Sequence, residues 1–306
     1  MRVLVTGGTG LVGKAIQAVR DSNEYFFASS IDGDLRDLHA ARKLFTNTNP
    51  EWVIHLAARV GGVFANMAHN IEFFEDNLAI NRNVVTLCHE WKVQRAVFCL
   101  STCVFPENSK LPLIESQLHA GPPHASNEGY AYAKRMLECH VRFCRETYGY
   151  SHWICVSPTN VYGPFDNFHD FNSHVIPGLI RRCEEAVETW VVFGSGTPKR
   201  QFIYSRDLAR IILKLLESDE DMGHHVICAD SPTASELTIS ELASLVAELM
   251  DFKGVIVFDS SMADGIAAKT VSNEHLMKCL PDTRFTPLRE GLIETCTWFK
   301  TVYKIV

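Results

Sequence analysis

Val3-Leu4-Val5-Thr6-Gly7-Gly8-Thr9-Gly10-Leu11-Val12-Gly13-Lys14 is a short apolar run that enters a cluster of glycines and leaves it as a helical stretch. Gly8, Gly10 and Gly13 match G-x-G-x-x-G, while Gly7, Gly10 and Gly13 also match G-x-x-G-x-x-G. Without side chains, such a turn bends tightly and lets backbone N–H groups approach a pyrophosphate at a helix N-terminus. Following a strand and opening a helix, the turn from Gly7 to Gly13, with Thr9, Leu11 and Val12 between the glycines, predicts a dinucleotide site.

Outward from this turn, apolar runs at 25–30, 52–58, 95–101 and 153–158 alternate with helical patterns around 12–20, 37–47, 70–91 and 128–147. That alternation predicts an α/β fold, a Rossmann-type doubly wound parallel sheet with ligand loops at the carboxyl ends of its strands. Beyond residue 165 the pattern loosens. Ser173–Glu188 reads as helix, Trp190–Phe193 as strand, Gln201–Leu216 as strand then helix, and Thr238–Met250 as helix. The expected organisation is a nucleotide-binding domain over 1–165, with a return near 201–230. A smaller, discontinuous α/β substrate-binding cap then fills most of 166–306.

Composition narrows the class of protein. Of 306 residues, 46% are hydrophobic and 21% charged, with no apolar run long enough to span a bilayer, so no membrane association is expected. The N-terminal apolar run is too short for an export signal, and ten cysteines show no C-x-x-C pair or disulfide framework. A reduced, cytoplasmic chain without a metal centre is the expectation. A net charge of −7 argues against a nucleic-acid surface and requires local cations for any anionic ligand.

The second apolar run ends Ala28-Ser29-Ser30, where an NAD site would place an acid on the ribose 2′-hydroxyl. Ser30 removes that carboxylate and favours NADP(H), although no arginine stands beside it. Asp34 and Leu35, just beyond, meet the adenine or belong to a turn in which the acid caps the next helix.

Tyr130 and Lys134 form Y-x-x-x-K, one helical turn apart on one face, whereas Tyr132 points elsewhere. A nearby ammonium is expected to lower the phenol pKa and let Tyr130 exchange a proton with a carbonyl or hydroxyl oxygen. Ser101, at the end of the fourth run, supplies a hydroxyl for the same oxygen.

Through Thr6–Gly13, His55-Leu56-Ala57-Ala58, Ser101-Thr102 and Tyr130 to Lys134, the chain resembles the extended short-chain dehydrogenase/reductases. Pro158-Thr159-Asn160-Val161 extends that resemblance into the loop that closes over the nicotinamide. More narrowly, Ser101-Thr102-Cys103-Val104-Phe105-Pro106, Gly121-Pro122-Pro123, Ser173–Arg182 and Gly194–Arg200 resemble the GDP-L-fucose synthase family nearly end to end. That resemblance implies 3,5-epimerisation of GDP-4-keto-6-deoxy-D-mannose followed by NADPH reduction of the C4 ketone. It also implies catalytic Ser101, Cys103, Tyr130, Lys134 and His174, with Cys103 and His174 as the proton-exchanging pair at the epimerised carbons. Cofactor contacts carry over to Leu56, Ala57, Ala58, Pro158 to Val161 and His174. Arg182, Phe193, Arg200, Asp264 and Lys269 are implied at the GDP sugar, and the helices at 70–91 and 128–147 at a homodimer interface.

Nucleotide-sugar 4-epimerases and 4,6-dehydratases share the glycine turn and Tyr-Lys pair, but a dehydratase typically has an acidic pair where this chain has Cys103-Val104. An NADP-sensing binding module would be expected to lack Tyr130 or Lys134.

Overall fold

The computed structural model describes residues 1–169, 173–230, 236–262, 264 and 266–303. Its centre is a parallel sheet of six strands. β1 (Arg2–Thr6), α1 (Leu11–Val19), β2 (Glu24–Ala28), α2 (Leu38–Thr48) and β3 (Trp52–His55) come first. α3 (Val63–Ala68), α4 (Asn70–Glu90), β4 (Arg95–Cys99), α5 (Glu128–Tyr148) and β5 (Trp153–Pro158) follow. Continuing the chain are β6 (Asn160–Tyr162), α6 (Val175–Glu185), β7 (Thr189–Phe193), β8 (Lys199–Arg200), β9 (Phe202–Tyr204) and α7 (Ser205–Glu217). β10 (His225–Cys228), β11 (Leu237–Thr238), α8 (Ile239–Met250), β12 (Val255–Asp259), α9 (Glu274–Cys279) and α10 (Leu288–Val302) complete it.

The strand order is β10-β5-β4-β3-β1-β2. The chain leaves β1 toward β2 and returns on the other side as β3, so the switch point lies between β1 and β3. A doubly wound sheet binds its ligand outside the carboxyl ends at such a point. The glycine turn emerges there.

Period-two alternation explains the two packed faces. Leu4, Val53, Phe98 and Cys155 point into a core shared with α2, α4 and α5. Val3, Val5, Ile54, Val97 and Ile154 point the other way, toward Ile16 of α1 and the apolar stripe Leu208–Leu216 of α7. β10 pairs with β5 in parallel. β10, β12 and α10 lie outside the elements expected from the sequence: β10 is only four residues long, and β12 is a five-residue run directly after the turn at 251–254.

A third core lies outside the sheet. Tyr162, Phe168, Leu179, Trp190, Phe202, Leu242 and Phe299 join β6, β7 and β9 to α6, α8 and α10. Three two-stranded sheets, β6-β9, β7-β12 and β8-β11, border it. Among the described residues no helix is long and apolar enough to cross a membrane.

Candidate active site

The glycines divide their work. Gly7 has φ +67°, and a Cβ there would sit 2.8 Å from Ala57 N. A Cβ on Gly8 would lie 2.6 Å from Phe27 Cβ, and one on Gly13 would lie 2.5 Å from Gly8 C, so Gly8 lets the turn pack on β2 and Gly13 lets α1 pack on the turn. Gly10 differs, because its nearest neighbour would be Gly7 O at 3.4 Å. Protein packing therefore leaves room at Gly10 that a ligand can use. Gly10 is also the N-cap of α1 and supplies no side-chain cap, which leaves first-turn N–H groups free of side-chain competition. These features fit a dinucleotide pyrophosphate. Gly8→Ala is expected to lower Tm, at a cost of about 1–3 kcal/mol for forced overpacking. Gly10→Ala should keep Tm and weaken NADPH binding, as read by fluorescence titration. Equal NADPH affinity in folded Gly10→Ala would contradict a pyrophosphate at this turn.

Beside the turn, Leu56 N donates to Thr6 O at 3.2 Å and Ala57 N to Thr6 Oγ1 at 3.3 Å, so Leu56, Ala57 and Ala58 run alongside it. Thr6 Oγ1 also meets His55 Nδ1 at 2.7 Å, and His55 Nε2 meets Asn81 Oδ1 at 3.1 Å. Burial, then the Lys134 charge, push His55 down to about 3, so it stays a neutral structural imidazole. Asn81 also donates to Ala133 O at 3.3 Å and thereby locks α4 to α5 beside the Tyr-Lys pair. Asn81 belongs to none of the sequence motifs. Its signal was a polar residue on the buried stripe of α4, one turn after the equally buried Asn77.

At the end of β2, Ser30 is exposed and Ser29 is tied through N and Oγ to Asp32, both at 2.8 Å. Arg36, also overlooked, is the arginine nearest in sequence to this end. It pairs with Asp34 at 2.8 Å and with Asp76 at 3.2 Å. Asp34 thus spends its oxygens on Arg36, and the cap of α2 is Asp37, which accepts from His39 N at 2.7 Å. Leu35 faces the core, and its carbonyl accepts from Asn83 at 2.9 Å.

Ser101 caps a single 3₁₀ turn, Thr102–Val104, by accepting from Cys103 N at 3.3 Å. The turn thus holds the hydroxyl and the buried Cys103 thiol two residues apart at the carboxyl end of β4. Arg135 of α5 fastens it from beneath, donating to Val104 O at 2.6 Å and Gly121 O at 2.7 Å. One residue earlier, Lys134 is buried and donates to Cys99 O at 2.7 Å, with its Nζ 5.8 Å from the Tyr130 ring centre.

The expected lowering of the Tyr130 pKa does not occur. Burial, followed by the nearby Cys103 and Cys99, pushes the phenol well above its ordinary value. The Lys134 ammonium is engaged by a carbonyl and is itself lowered by burial. A protonated phenol is the resting form, which suits Tyr130 to donating rather than accepting a proton.

Cys103 shares a small cavity with Lys269, lined also by Phe105, Glu107, Leu113 and His124. Burial raises the Cys103 pKa, and the Lys269 charge is the largest influence opposing it. Lys269 is pushed down to about 8 by burial, with the Cys103 charge opposing the shift. Lys269, implied at the GDP sugar by the resemblance, lies close enough to act electrostatically on the thiol. His174 is the N-cap of α6, without a side-chain cap bond. The imidazole is exposed in area yet overhung by enough protein that burial lowers its pKa and favours the neutral ring.

The remaining residues lie around the third core and on the neighbouring loop. Arg182 places its guanidinium 4.8 Å from the centre of the exposed Phe193 ring. Arg200 Nη1 donates to Lys199 O and Ile266 O, each at 2.7 Å, and burial lowers its pKa. Asp264 accepts from Ser195 N at 2.6 Å and from Ser195 Oγ at 2.7 Å, so it braces the Gly194–Ser195 turn with both oxygens. Pro158 ends β5. Thr159 N donates to Cys228 O at 3.0 Å, Asn160 Nδ2 to Gln201 O at 2.8 Å, and Val161 pairs with Ile203, so this loop joins the six-stranded sheet to β9 beside the third core.

A family model described as the NAD dependent epimerase/dehydratase family matches residues 3–229. The GDP-L-fucose synthase of Dictyostelium discoideum is 44% identical over 310 residues, spanning 99% of this chain and 96% of that protein. A probable GDP-L-fucose synthase of Drosophila melanogaster is 43% identical over 313 residues, with 97% of each chain covered. Among solved structures, a GDP-L-fucose synthetase from Naegleria fowleri bound to NADP superposes with TM-score 0.92 at 40% identity, over 99% of this chain and 94% of that one. With the glycine turn at the switch point and the Ser101, Tyr130 and Lys134 groups grouped beside it, the chain belongs to the NAD dependent epimerase/dehydratase family and, within it, to the GDP-L-fucose synthases.

Proposed function

We infer that the protein converts GDP-4-keto-6-deoxy-D-mannose to GDP-L-fucose, inverting C3 and C5 and then reducing the C4 ketone with NADPH. The observation that carries this reading is the thiol of Cys103, held in the same buried turn as Ser101. C3 and C5 both flank the C4 carbonyl. Donors at its oxygen stabilise the enolate formed when either carbon loses its proton.

Tyr130 and Ser101 supply those donors. Cys103 and His174 exchange the protons on opposite ring faces, one accepting from carbon while the other returns a proton with inversion. NADPH, when bound, supplies the hydride for C4. Tyr130 gives the ketone oxygen its proton, and Lys134 holds the end of β4 through Cys99 O. The glycine turn, Ser30, Asp34, Leu35, Leu56 to Ala58 and Pro158 to Val161 border the cofactor, and His174 approaches its nicotinamide end. Arg182 and Arg200 offer cations to the diphosphate. Phe193 offers its exposed ring to guanine, Asp264 fixes the adjoining turn, and Lys269 reaches from the Cys103 cavity toward the substrate anion.

Residues 1–165 with the 201–230 return make up the cofactor-binding part, and most of 166–306 the cap. The pairing of β10 with β5 supports this division. α4 and α5 pair with the same helices of a second copy. Ile71, Met136 and Phe143 support this as exposed apolar residues on those helices. A sedimentation mass of one chain would contradict the homodimer. Ten free thiols support a cytoplasmic setting.

Incubation with GDP-4-keto-6-deoxy-D-mannose should consume one NADPH per GDP-L-fucose formed, as identified by NMR. A product reduced without inversion, or no NADPH oxidation, would reject the assignment.

A further inference from the structure

Away from the cofactor crevice, three separate stretches bring four metal-ligating side chains together. Glu138 lies eight residues beyond Tyr130 on α5, about 12 Å along the helix axis. Its side chain is 2% exposed. His119 Nε2 is 2.6 Å from Glu138 Oε2, and Cys139 Sγ is 3.8 Å from the same His119 nitrogen. From the amino end of β10, His224 Nε2 approaches Glu138 Oε1 at 3.4 Å. The ligand atoms of His119, Glu138 and Cys139 all lie within 4.8 Å of one another.

These separations are close to those a tetrahedral ion imposes. Bonds of about 2.0–2.3 Å put neighbouring donors roughly 3.3–3.7 Å apart, so the His119–Glu138 contact must open and His224, which meets the cluster only through Glu138, must draw in toward the other two donors. Two neutral imidazoles, a carboxylate and a thiolate carry a combined charge that cancels a divalent cation. Mixed nitrogen, sulfur and oxygen donors suit zinc-type ions better than magnesium or calcium. Arg142 now supplies the positive charge, with Nε 3.1 Å from Glu138 Oε1 and Nη2 3.8 Å from Cys139 Sγ. Glu146, 3.5 Å from Arg142 Nη1, offers that guanidinium another partner. The imidazoles of His119 and His224 are about half exposed, which leaves an entry path.

We propose that His119, Glu138, Cys139 and His224 form a binding site for a divalent transition-metal ion, in which Arg142 is the exchangeable resident cation. The sequence shows no metal-ligand spacing because the donors come from a loop, a helix and a strand start. An ion there would clasp α5 to β10 and to the His119 loop, whose earlier residues Glu107, Leu111 and Leu113 line the Cys103 cavity.

Cobalt(II) titration of chelator-treated full-length protein tests this. One ion per chain should bind with a thiolate-to-cobalt absorption band that Cys103→Ser retains and Cys139→Ser abolishes. His119→Gln and His224→Gln should each weaken binding at least about tenfold. Arg142→Ala should tighten it by removing the competing cation, a result that a purely structural ion-pair cluster would not give. No saturable binding at micromolar cobalt, a band surviving Cys139→Ser, or unchanged affinity in Arg142→Ala would overturn the proposal.

Discussion

Cys103→Ser is expected to cut solvent proton exchange at C3 and C5 by about 10²–10⁴-fold, the usual loss when a positioned acid or base is removed. Reduction of an already epimerised 4-ketone should remain near the wild-type rate, because Ser101 and Tyr130 still engage the oxygen. The substitution is nearly isosteric, and the Cys103 backbone keeps its bond to Ser101 Oγ. Equal loss of exchange and reduction in a folded variant would contradict this division of labour. Lys269→Met provides a companion test. Burial raises the Cys103 pKa and the Lys269 charge opposes it, so removing that charge should raise the thiol pKa further. The exchange profile should then move to higher pH. Because Lys269 itself is pushed down to about 8, its help to the thiolate is present below that pH and fades as pH rises through it. An unchanged profile would leave Lys269 with a purely binding role.

Tyr130→Phe should lower both exchange and reduction, each by about 10²–10⁴-fold, because both steps need a donor at the C4 oxygen. The phenol is pushed well above its ordinary pKa by burial, so it is available as a proton donor throughout the neutral range. NADPH affinity should change little, since the glycine turn and the α1 N-terminus remain. Loss of reduction with full exchange would assign the enolate to Ser101 alone. The two variants should form a contrast: Cys103→Ser separates the half-reactions, and Tyr130→Phe impairs both.

Much of this architecture was legible because the nucleotide half is built from regular signals. Val3–Val5 enters the turn, the helices on either side are amphipathic, and Tyr130 and Lys134 keep helical spacing. The cap was less readable. Its strands are two to five residues long, and its pairings join distant stretches, such as β7 with β12 and β8 with β11. Electrostatics were the least legible. Spacing placed an ammonium near Tyr130, but only the fold shows that Lys134 is tied to Cys99 O and that burial controls the phenol. The same holds for Lys269, whose proximity to Cys103 comes from a late loop folding back over the end of β4. Buried Asn81, which sets α4 against α5, has no local motif around it.

The central claim is that one site acidifies two carbons through a shared ketone and then reduces that ketone. Incubation with GDP-4-keto-6-deoxy-D-mannose in deuterated water without NADPH, followed by NMR, tests it most directly. The account predicts deuterium at both C3 and C5, with GDP-L-fucose appearing only when NADPH is added. Reduction on NADPH addition with neither carbon labelled would contradict it.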